Sequence, residues 1–188
     1  MEQPNLRTRR AVAADAKAEL LRLLGSPEPA PISILYLFCH CNLGRGNNPI
    51  LRFGPTADPR DTVGRTELAT TRLDDRPFVF VNACATGAAD AYMANELEEN
   101  FFKRGCRAFL GTETKVPIAF ASRFATIFFR FFYRAIAPAP MAAGEAVAQT
   151  RLFLWTRYRN IGGLLYSYVN QYELFMAPDA EVVAMKRR

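Results

Sequence analysis

Two apolar runs, Ile32-Ser33-Ile34-Leu35-Tyr36-Leu37-Phe38-Cys39-His40 and Phe78-Val79-Phe80-Val81-Asn82-Ala83-Cys84, limit how this chain can fold more than any other feature. The first has no polar alternation beyond Ser33, whereas a strand with one wet face alternates polar and apolar residues. Such a run needs cover on both faces, which predicts central parallel strands over residues 32–39 and 78–83. Each run ends on a residue type that carries chemistry. The first reaches His40, the only histidine in the chain, and the second reaches Cys84, followed by the small residues Ala85-Thr86-Gly87. Neighbouring parallel strands would bring the two tips together.

The segments between these runs supply helices. Residues 10–24 are strong helix formers stopped by Gly25-Ser26-Pro27. Residues 44–59 are rich in Gly, Pro and Asn, with a short strand candidate over Ile50–Phe53, and predict a hairpin or flap over the strand tips. Thr66 to Leu73 predicts a short helix. A longer one runs from an Asp90 N-cap to Lys103 and is ended by Gly105. Arg107–Gly111 predicts a third strand. In the Phe-rich helix over 117–136, Arg123, Thr126, Arg130 and Arg134 form the solvent stripe. A helix over about 141–155 follows, and residues 164–168 with 173–176 would complete the sheet or its edge. Strands and helices in alternation imply an α/β sandwich with right-handed crossovers. The site in such open sheets lies beyond the carboxyl ends of the strands, where His40 and Cys84 both fall.

At 188 residues, half of them hydrophobic, the chain is long enough for one domain with a full core. Its net charge of +6 raises the question of nucleic acid. The excess is spread thinly along the chain, with only Arg7-Thr8-Arg9-Arg10 and Lys186-Arg187-Arg188 approaching a basic run, so no nucleic-acid partner is expected. Residues 1–7 lack the apolar segment that secretion requires, and the expected location is cytoplasmic. In that reducing setting the four cysteines read as thiols. No membrane span is expected, because the helix over 117–136 is interrupted by arginines and falls short of about 20 apolar residues.

Acyl transfer by a thiol needs a nucleophile, a base and amides that hold the oxyanion. Cys84 and His40 are candidates for the first two. The turn containing Ala85 and the loop Cys41-Asn42-Leu43-Gly44 are candidates for the amides. Zinc is the chemical rival, through Cys39-His40-Cys41 with Cys84 or Cys106. On a strand, however, Cys39 and Cys41 face one way and His40 the other, so no metal and no cofactor is expected. Spacing alone also leaves open that His40 and Cys84 merely pack.

Three blocks in order, Leu35–Cys41, Phe78–Gly87 and Phe102–Glu113, together resemble the CHAT family of caspase-like cysteine peptidase domains. The likeness continues through Phe131-Phe132-Tyr133, Gly144–Val147 and Gly163–Tyr166, and covers about residues 30 to 176. It implies a caspase-like three-layer α/β sandwich with a mostly parallel central sheet. By position His40 and Cys84 match the family's dyad. The implied organisation is an N-terminal helix and linker over 1–30, the peptidase domain over 31–177 and a tail over 178–188. The implied function is cleavage of a protein or peptide substrate under the control of a sensor module or activating partner. The loop after the third strand, with Thr112 and Glu113, corresponds to the pocket for the residue before the cut, where the carboxylate would favour a basic side chain. The family usually has Gly where this chain has Cys41, and Asp where it has Ile118. These departures support the alternative of a catalytically idle interaction domain.

Overall fold

The computed structural model describes residues 16–25, 33–44, 48–54, 58–85, 91–133 and 141–175. Within them β1 (Ile34–Leu43), β2 (Pro49–Arg52), β3 (Thr62–Val63), β4 (Phe78–Ala85), β5 (Ala108–Thr112) and β6 (Tyr166–Asn170) form one sheet. Its order is β3-β2-β1-β4-β5-β6. The three central strands β1, β4 and β5 are parallel, and the flanking pairs β1/β2, β2/β3 and β5/β6 are antiparallel. The helices are α1 (Ala16–Gly25), α2 (Arg65–Ala69), α3 (Ala91–Lys103), α4 (Ile118–Phe132) and α5 (Ala143–Tyr158). The protein is therefore a mixed α/β domain.

Side-chain alternation along the central strands feeds two separate cores. Leu35, Leu37 and Cys41 of β1 and Val79, Val81 and Ala83 of β4 join Leu20 and Leu24 of α1, Leu68 of α2, and Leu97 and Phe101 of α3. The opposite face sends Phe78 and Phe80 of β4 and Ala108 and Leu110 of β5 into Phe124, Phe128 and Phe132 of α4 and Ala146, Val147 and Leu154 of α5. Both faces of β4 are thus dry, which is why its sequence carries no apolar/polar alternation. Arg123, Thr126 and Arg130 of α4 are exposed, as the stripe predicts, while Arg134 lies outside the described residues.

The chain leaves α3 through paired bonds from Gly105 N–H to the Phe102 carbonyl (3.0 Å) and Cys106 N–H to the Phe101 carbonyl (3.1 Å). This Schellman arrangement needs a left-handed residue, and Gly105 supplies it with φ 106°. Several boundaries depart from the sequence expectation. β1 continues past residue 40 to Leu43, because Cys41, Asn42 and Leu43 pair with β2 in a hairpin closed by Gly44 N–H to the Asn48 carbonyl (2.8 Å). Cys41–Leu43 is therefore strand and not the expected loop. β3, with two residues, carries no readable pattern. Residues 162–165 are a 3₁₀ turn and β6 starts after it, while Phe175 makes only an isolated bridge to Ala142. The expected start of the first helix at 10–15, and the Asp90 cap, lie outside the described residues. Among the described residues no helix is long and apolar enough to cross a membrane.

Candidate active site

β1 and β4 run side by side through eight register pairs, and the seventh pairs His40 with Cys84. The long apolar strands thus carry the only histidine and Cys84 to adjacent positions at the carboxyl end of the central sheet. Along β1 His40 alternates with Cys39 and Cys41, which pack toward the α1–α3 core, and so falls on the opposite face. The imidazole is half-buried, and its Nδ1 is buried with no hydrogen-bond partner among the described residues. Phe38, one rung earlier on that face, is left 48% exposed. The next pair beyond His40 is Cys41 with Ala85. Residues 86–90, which carry the rest of the expected amide-bearing turn, lie outside the described residues.

Cys41 itself belongs to the opposite face, buried among the residues of the α1–α3 core. Burial pushes its thiol up to about 11. Cys106 is fully buried and pushed up to about 12, first by burial and then by the nearby Glu98 carboxylate. Among the described residues no group of three or more His, Cys, Asp or Glu side chains is arranged to hold a metal ion.

Beneath the His40/Cys84 rung sits a buried polar network that sequence reasoning missed. Asn82 has no solvent exposure. Its Nδ2 donates to the Ala121 carbonyl in α4 (2.8 Å) and to the Tyr36 hydroxyl in β1 (3.1 Å), and its Oδ1 accepts from the Tyr166 hydroxyl in β6 (2.8 Å). Burial raises the Tyr36 phenol above its ordinary value, with the Asn82 bond opposing it. One signal was available: an asparagine inside an otherwise apolar strand must find partners when both faces are covered. Its partners come from residues 36, 121 and 166, which no local pattern connects.

The two residues expected in the substrate pocket behave differently. The Thr112 hydroxyl donates to the Ala83 carbonyl at 2.8 Å, so it is engaged with the backbone next to Cys84. Glu113 has an exposed side chain, and its N–H donates to the Leu165 carbonyl at 2.8 Å. Burial, and secondarily the Glu113 charge, holds the Glu98 carboxyl above its usual range. At the start of α4, Pro117 makes no side-chain cap. Ile118, 57% exposed, provides no carboxylate there.

Comparison with known proteins bears on this arrangement. The CHAT domain profile matches residues 2–166. A probable protease from Vitiosangium sp. is 31% identical over 171 residues, which is 86% of this chain and 20% of that protein. The chain therefore spans about a fifth of the length of this relative. With the profile covering both apolar strands, His40, Cys84 and the helices between and after them, the chain belongs to the CHAT domain family.

Proposed function

We propose that this chain is a caspase-like cysteine peptidase domain, its catalytic unit spanning residues 31–177, in which His40 and Cys84 form the dyad. The observation that carries the reading is the register pairing of the two residues at the carboxyl end of parallel strands. In this mechanism His40 takes the Cys84 thiol proton, and the thiolate attacks the scissile carbonyl carbon. The amides of Ala85 and Cys41, one rung beyond the dyad, are proposed to meet the oxyanion. As the C–N bond breaks, the imidazolium returns its proton to the leaving amine. Water then hydrolyses the thioester and releases the acid. Glu113 is proposed to favour a basic residue before the cut through a charge-assisted bond. The substrate is a protein or peptide. The relative's greater length, of which the matched part is 20%, supports an activating partner or sensor segment outside this unit.

The test is cleavage of a peptide library by the wild-type chain and by single variants. Cleavage of a peptide library should vanish in Cys84→Ala and in His40→Ala, and preference for Arg or Lys should fall in Glu113→Gln. Near-normal turnover by His40→Ala would overturn the dyad. The second reading, an idle interaction domain, is favoured by the missing carboxylate at the start of α4. It expects no cleavage by the wild-type chain.

A further inference from the structure

The two sides of β4 are secured unequally where it matters. Toward β1 the ladder is unbroken from Ile34/Phe78 to Cys41/Ala85. Toward β5 it stops at Phe80/Leu110, although β4 continues to Ala85 and β5 to Thr112. The two strands therefore part before the rung that carries Cys84. Two side-chain bonds cross the opening. Thr112 Oγ1 donates to the Ala83 carbonyl at 2.8 Å, and the Tyr166 hydroxyl donates to Asn82 Oδ1 at 2.8 Å. Thr112 and Tyr166 are themselves a register pair of β5 and β6. One rung of the antiparallel β5/β6 pair thus holds the two residues that precede Cys84.

We infer that Thr112 is a positioning residue for Cys84, its hydroxyl replacing the missing ladder bond and fixing the end of β4 against β1 at the spacing the His40/Cys84 pair requires. The inference rests on the dyad reading above and deepens it. Without the hydroxyl, the Ala83 carbonyl loses this bond and the tip of β4 is fastened on its β1 side and through Asn82. A nucleophile and its base act only in a narrow range of geometry, since about 1 Å of misplacement costs on the order of a hundredfold in rate. Thr112 is thereby assigned to the nucleophile's support and not to the substrate pocket.

The experiment compares Thr112→Val, which keeps shape and branching but loses the hydroxyl, with Thr112→Ser, which keeps the hydroxyl. The readouts are the pH profile of Cys84 alkylation by iodoacetamide, mapped by peptide, and the pH profile of peptide cleavage. The valine variant should move the Cys84 profile toward that of an ordinary thiol and slow labelling at pH 7 by roughly tenfold or more, with the serine variant restoring both. A purely structural role would lower the unfolding midpoint of the valine variant and leave both profiles in place, and that result overturns the inference. A wild-type Cys84 that titrates as an ordinary thiol overturns the dyad reading and this inference together. A perturbed wild-type profile shared by the valine variant overturns the inference alone. Thr112→Ala gives the same readouts should the valine variant not fold.

Discussion

Replacing Tyr166 by Phe isolates one bond of the buried network. Tyr166 is 1% exposed and Asn82 has no exposure, so water has no access to the gap. The change removes the donor to Asn82 Oδ1 (2.8 Å) but leaves the two Nδ2 bonds to Ala121 and Tyr36. It also keeps the ring, which stacks on Phe124 with centroids 3.6 Å apart and planes at 2°, so no cavity opens. The cost is that of one orphaned buried acceptor, about 1–3 kcal/mol. At roughly 2–4 °C per kcal/mol for a domain of this size, a cost near 2 kcal/mol lowers the unfolding midpoint by about 4–8 °C. Thermal unfolding followed by circular dichroism reads this directly. A double-mutant cycle with Asn82→Ala should give a coupling on the order of 1 kcal/mol between the two positions. A Tyr166→Phe midpoint equal to wild type, or an additive cycle, would refute the reasoning.

Mild iodoacetamide treatment of folded protein should label Cys84 before Cys41 and Cys106, since burial pushes Cys41 up to about 11 and Cys106 up to about 12; earlier labelling of either would sink the assignment. Both folded values lie above the ordinary 9.0, so the folded state holds more protons than the unfolded one at higher pH. Their contribution is complete below pH 9 and is lost as pH rises through about 11 to 12, at roughly 1.4 kcal/mol per pH unit for each group in its window. Urea midpoints should accordingly fall over that range, and less steeply in Cys106→Ala. Gly105→Ala forces a side chain into φ 106° and brings Cβ within 3.1 Å of the Leu73 carbonyl oxygen. It should cost about 1–2 kcal/mol, and an unchanged midpoint would contradict the helix stop described for α3.

Local patterns in the chain were enough for the elements that carry the site. The dry strand β4 follows from an apolar run, expected over 78–83, that no half-wetted strand would show; the run over 32–39 gave β1 as a strand, but one face of it leaves Tyr36 and Phe38 exposed and is not covered as its sequence implied. The face of α4 follows from the spacing of its arginines, and the stop of α3 from Gly105. These signals are properties of a few neighbouring residues, so they survive without knowledge of the partner. The pairing of His40 with Cys84, rather than a rung above or below, is a register set by how two sheet faces bury against α1–α3 and α4–α5 together. The extension of β1 through Cys41 depended on β2 arriving to pair with it. Thr112 was placed in the pocket by the position of its loop, and the sequence around it names no partner for its hydroxyl. Its acceptor, the Ala83 carbonyl, exists as a partner only where β4 and β5 part. Asn82 could be recognised as polar in a dry place, but its satisfaction by Tyr36, Ala121 and Tyr166 joins residues from three other elements. Hydrogen bonds between sequence-distant groups are decided by packing, because only packing determines which buried donors and acceptors lie within 3 Å of each other.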